Sequence, residues 1–162
     1  MPMEKLRWVL VVIIIGAVAF CNDAASAQSG RPTDQLTVAQ SNKRFINYQK
    51  DFLEFSRAGS ADEGQVALDL STTASQAADY LNAVLTLLTI YDDLSCKEDR
   101  DRIRSVIDAE VRFYSKNFEL LTREANLDIA QTKMPGVAAE GTRMRDDLRQ
   151  AKSTFDSIKL PQ

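Results

Sequence analysis

The sequence predicts an all-α fold: an up-down antiparallel four-helix bundle with a long central helical hairpin, following an N-terminal signal peptide. Three observations lead there. Apolar residues recur at steps of three and four in four successive stretches, the spacing that lines one face of an α-helix. The connections between those stretches are short and carry Gly59, the turn from Asp92 to Cys96, and Met134-Pro135-Gly136, which favours antiparallel neighbours. Runs alternating β-branched and polar residues are missing, as are turn pairs such as Asn-Gly, so strands are not expected.

The chain opens with Lys5 and Arg7, continues through an apolar run from Trp8 to Phe20, and reaches small residues at Ala25-Ser26-Ala27. A charged start, a short apolar run and a small-residue site form a secretory signal peptide, with cleavage expected after Ala27. The run falls short of the roughly 20 residues that cross a hydrocarbon core, and Asn22 and Asp23 close it. An uncleaved segment anchored in the inner membrane is the alternative. Cys21 raises lipidation, but Phe20 stands where lipoprotein signals resemble one another in having a small side chain, so lipidation is discounted. The expected location is periplasmic or secreted, with membrane contact only transient, through the signal peptide.

Residues 28–36 carry Ser, Gly, Arg, Pro, Thr and Asp with little apolar content and are expected to form a flexible spacer. The helical bundle domain is expected over residues 37–160. Its first helix is placed at 37–58, where Gln40 completes a weak capping box after Thr37 and Phe45, Tyr48, Phe52 and Phe55 form an aromatic stripe. Ile46 and Leu53 broaden that face. The stripe is expected to be core, because aromatic stripes at helical spacing pack more often than they bind.

The hairpin follows, with arms over 61–94 and 96–131. Val66, Leu70, Ala74, Ala77, Leu81, Leu85 and Leu88 mark the inner face of the first arm. Ile103, Ile107, Val111, Tyr114, Phe118, Leu121 and Ala125 mark that of the second. Ser60 with Glu63, and Ser95 with Glu98, have capping-box spacing. Gly59 suits the left-handed conformation that ends a helix. A last helix over 136–159 carries Val137, Gly141, Met144, Leu148, Ala151, Phe155 and Ile158 as one seam, which argues for lengthwise packing at a shallow angle.

Removing residues 1–27 takes away Lys5, Arg7, Glu4 and Asp23 and leaves 135 residues with the formal net charge still −3. Mixed signs at that balance give no electrostatic footprint for nucleic acid. The chain has no histidine, which removes the usual ligand of haem iron, the usual partner in di-iron bundles and the usual general base. Periplasmic haem-carrying four-helix bundles are similar in size and export, yet their axial histidine has no counterpart here. No zinc, phosphate-loop or nucleophile-elbow motif occurs. No cofactor, no metal and no catalytic residue are therefore assigned, and the chain is expected not to be an enzyme. A carboxylate-only enzyme would need Asp79 or Glu110 placed inward. Asp92, Asp93, Glu98 and Asp99 lack the calcium-loop pattern.

Cys96 is the one cysteine left after cleavage, so an intrachain disulfide is excluded in the mature protein. It is either a small side chain tucked under the turn or an intermolecular thiol. The expected function is protein–protein interaction or self-association, with a protein partner or homo-oligomer and no nucleic acid. The rival is a small-molecule binder with Phe45, Tyr48, Phe52, Phe55 and Tyr80 lining a cavity. Helix lengths place the candidate interface at the hairpin tip, on Leu87, Ile90, Tyr91 and Leu94. The flanking helices at 1.5 Å per residue come out roughly 15 to 20 Å shorter than the arms, so the tip should protrude, with Leu87 and Ile90 facing outward.

Overall fold

A computed structural model describes residues 32–160, and the expected signal peptide, its expected cleavage after Ala27 and Cys21 lie outside the described residues. Four α-helices account for nearly all of them: α1 Pro32–Ala58, α2 Ala61–Asp93, α3 Lys97–Gln131 and α4 Pro135–Ser157. No strand occurs among the described residues. The helices run up, down, up and down, and successive ones are neighbours. α1 lies along α2 and α4 along α3, while α1 and α4 close the ring. α1 and α3 are diagonal and meet through side chains.

The apolar stripes explain this arrangement. Val137, Gly141, Met144, Leu148, Ala151 and Phe155 of α4 are all buried, as the lengthwise seam requires. In α2 the small residues Ala67, Ala74, Ala77 and Ala78 are buried, which brings α1 close. At Gly64 the two backbones come close, since a Cβ there would stand 2.8 Å from the Ser56 carbonyl oxygen. The aromatic stripe of α1 turns inward, with Phe45 and Phe52 fully buried. Phe118 of α3 meets a ring from each of the other helices: Phe45 at 6.5 Å, Tyr80 at 6.0 Å and Phe155 at 5.3 Å between centroids. Ile46 departs from the expected face and is exposed.

Several local expectations are corrected. α1 starts at Pro32, not Thr37, so the second half of the expected spacer is helix. Pro at the first helical positions has no N–H to lose, and Asp34 in the first turn suits the positive end of the helix dipole. Gln35 Nε2 then donates to Asp92 Oδ2 at 2.7 Å, tying the start of α1 to the end of α2. The expected Ser60–Glu63 capping box does not form. Ser60 is the N-cap of α2 but makes no side-chain cap bond, and the Glu63 carboxylate that would complete the box is engaged elsewhere. It accepts from Thr132 Oγ1 at 2.8 Å and from the Lys133 N–H at 2.9 Å. These two bonds hold its carboxyl below the ordinary carboxylate range. α3 is capped by Cys96 rather than Ser95, again without a side-chain cap bond. Gly59 does not enter the left-handed region. A Cβ there would meet Met134 Sδ at 3.1 Å and Glu63 Cβ at 3.2 Å, so close packing at the base is what favours glycine.

Candidate interaction surface

At the tip Leu87, Ile90, Tyr91 and Leu94 share the hydrophobic cluster and do not form an outward face. Leu87 is 9 %, Tyr91 6 % and Leu94 7 % exposed, and Ile90 is half-buried against the core. The expectation that Leu87 and Ile90 face outward is therefore corrected. The early start of α1 and the side chains of α3 both act at this end, Arg104 through a bond to Tyr91. At 27 residues α1 is roughly 40 Å long against roughly 50 Å for α2, and its first turns reach Asp92. The tip is a packed junction whose turn is braced by Arg100 Nε donating to the Leu94 carbonyl. Cys96 is half-buried at that turn and forms no disulfide among the described residues.

Exposed apolar surface lies instead along the outer side of α3. Phe113 is 42 %, Leu120 52 % and Leu127 63 % exposed. They recur every seven residues, so they share a line along the helix, and half-buried Val106 continues it toward the tip. Beneath the line the surface is aromatic. Phe113 edges onto Tyr114 at 5.5 Å, and Tyr114 stacks on Tyr80 of α2 at 4.7 Å. The repeat of seven is legible in the sequence but lies off the inward stripe that marks the core.

Between the base halves of α2 and α3 runs an open groove of about 330 Å³. Asp69, Thr72 and Gln76 face Glu124, Leu127 and Asp128 across it. Burial pushes the Asp128 carboxyl up from 3.8 to about 6, and the like charges of Asp69 and Glu124 add to the effect. Among the described residues no group of three potential ligands is placed to hold a metal ion.

The interior polar groups act as clasps. Tyr48 Oη donates to Asp147 Oδ2 at 2.8 Å, and Arg44 Nε stands 3.3 Å from the same oxygen. Burial first, and then the bond to Asp147, raise the phenol well above its ordinary range, so it stays protonated and holds α1 to α4. Ser115 Oγ donates to Asp156, which Lys152 Nζ also reaches at 2.7 Å. Lys152 and then Ser115 hold that carboxyl below its ordinary value. Asp79 is exposed and Glu110 half-buried, so the inward carboxylate expected of an enzyme is not met at Asp79. Among the described residues no helix is long and apolar enough to cross a membrane.

No family model matches this chain, and comparison with curated proteins and with solved structures returns no match.

Proposed function

We propose that this is an exported, non-enzymatic helical protein that works by protein–protein contact, through the outer face of the α2–α3 hairpin rather than through its tip. The observation that carries this reading is the line of Phe113, Leu120 and Leu127, three large apolar side chains exposed at heptad spacing on one helix. Water-exposed apolar lines of this kind favour burial against another helix. Against the rival small-molecule reading stands the packing of the aromatic residues that would line its cavity. Phe45 and Phe52 are fully buried, and Phe45, Tyr48, Phe52, Phe55 and Tyr80 are in ring contact with their neighbours.

Export rests on the basic start, the apolar run and the small residues at 25–27. Mass spectrometry of the purified protein should find Gln28 as its first residue. Because Trp8 is the only tryptophan, indole emission from the mature protein would count against cleavage. For contact, the mature protein and its Leu120→Glu variant should be used to capture partners from an envelope extract. Capture lost in the variant, with helicity retained by circular dichroism, supports the reading. Equal capture by both proteins would remove the α3 line from it.

A further inference from the structure

We propose that the occupant of the α3 line is a second copy of this chain, its α3 lying parallel to the first about a two-fold axis that runs along both helices. This rests on the outer face of α3 being a docking surface. The choice of partner and direction comes from charge. At about 100° per residue, Phe113, Leu120 and Leu127 fall within a narrow arc, and the two sides of that arc carry opposite signs. On the side toward α2 stand Glu124 and Asp128, which share the groove with Asp69, and Glu110 lies on the same flank. On the other side stand Arg112, Lys116 and Arg123, all exposed, with exposed Glu119 farther from the line, just beyond Arg112. Among the described residues these three cations form no ion pair within the chain. Arg104, Arg143, Arg149 and Lys152 each pair with a neighbouring carboxylate.

A two-fold axis tests such a pattern. In an antiparallel helix pair each flank meets its own copy, so acid would face acid and base would face base. In a parallel pair each flank meets the opposite one. Arg123 then lies level with Glu124 of the partner subunit, and Arg112 lies close to the level of Glu110 of the partner subunit. Both contacts are made twice by symmetry, and the apolar residues meet their own copies on the axis.

The size of the surface sets the strength. The line from Val106 to Leu127 is roughly 32 Å long, and with a helix width of about 10 Å it offers about 320 Å² per copy. That is less than half of the roughly 800 Å² per partner in a standard stable interface. The expected dimer is weak and concentration-dependent, with a dissociation constant between about 10 μM and about 1 mM.

The test uses the mature protein. Sedimentation equilibrium up to about 1 mM should show a monomer–dimer equilibrium that Leu120→Glu removes. Arg123→Glu and Glu124→Arg should each weaken it at least about threefold, and the two together should restore it, since the pair is re-formed with its signs exchanged. Direction is read by crosslinking. Phe113→Cys and Leu127→Cys, each with Cys96→Ser, should both give disulfide dimers. The two sites are roughly 21 Å apart along α3, so an antiparallel pair can bring at most one of them onto its own copy. Crosslinking at only one site would overturn the parallel arrangement. A wild-type protein monomeric throughout would overturn self-association. If it still captures a different protein in a Leu120-dependent way, the docking surface stands and only the identity of its occupant fails. If it captures nothing, both fail.

Discussion

Replacing Phe118 with Ala is the most demanding test of the bundle, because this ring is fully buried and touches one aromatic ring from each of the other three helices. Core Phe→Ala substitutions cost about 3 to 5 kcal/mol through lost transfer energy and the residual cavity. The contacts with Tyr80 and Phe155 are near-perpendicular, at 86° and 82°, the geometry in which each pair adds about 0.5 to 1.5 kcal/mol beyond its buried area. Flat, stiff neighbours on three sides collapse poorly into the space, so the upper end of the range applies, about 4 to 5 kcal/mol. The unfolding entropy of a domain of 129 residues is roughly 0.27 kcal/mol/K, so the melting temperature should fall by about 15 °C. Phe113→Ala makes the same chemical change on the same helix at a position that is 42 % exposed. It should cost no more than about 1 kcal/mol, or about 4 °C. Thermal unfolding followed by far-ultraviolet circular dichroism at low protein concentration reads both. A fall of less than about 5 °C for Phe118→Ala, or equal falls for the two variants, would refute the assignment of Phe118 as the point where the four helices meet.

Gly64→Ala gains about 1 kcal/mol of helix propensity, but its Cβ must displace a backbone carbonyl at 2.8 Å. Overpacking costs about 1 to 3 kcal/mol, so the net effect should be destabilising, and a raised urea midpoint would contradict the close α1–α2 contact. Asp128 has a folded pKa of about 6 against an ordinary 3.8, so folding favours its protonated form. The resulting stability is fully present below about pH 4 and is lost as pH rises through about 6. Discounted for partial solvent exposure, Asp128→Asn should stabilise the protein at pH 7 by no more than roughly 1 kcal/mol. Urea unfolding should show that gain vanish near pH 4, and a gain independent of pH would remove the electrostatic cause. Cys96→Ser should leave stability within about 0.5 kcal/mol, since serine is itself a favoured N-cap. A loss above about 2 kcal/mol by the same measurement would assign Cys96 a packing role in the turn.

The sequence by itself determined the number of helices, their order and most of their buried faces. The Val137-to-Phe155 seam and the Phe45, Tyr48, Phe52 stripe are buried along the lines their spacing drew. Amphipathic periodicity is a property of one helix read alone, so it survives without knowledge of neighbours. What covers a given face depends on other helices, and only the tertiary structure decided it. The start of α1 at Pro32 is accompanied by a bond from Gln35 to Asp92, a residue 57 positions away. That same extension reaches the end of α2 where Leu87, Tyr91 and Leu94 are buried, residues that the lengths of the helices alone had left protruding. Glu63 had the spacing of a local cap and instead bonds Thr132 and Lys133 across the base of the hairpin, because folding brings those donors within its reach. Phe113, Leu120 and Leu127 could be counted as a heptad in the sequence. Their exposure followed only once α1, α2 and α4 had all packed on the other sides of α3 or across the core from it, which leaves the outward side of that helix without a neighbour within the described chain.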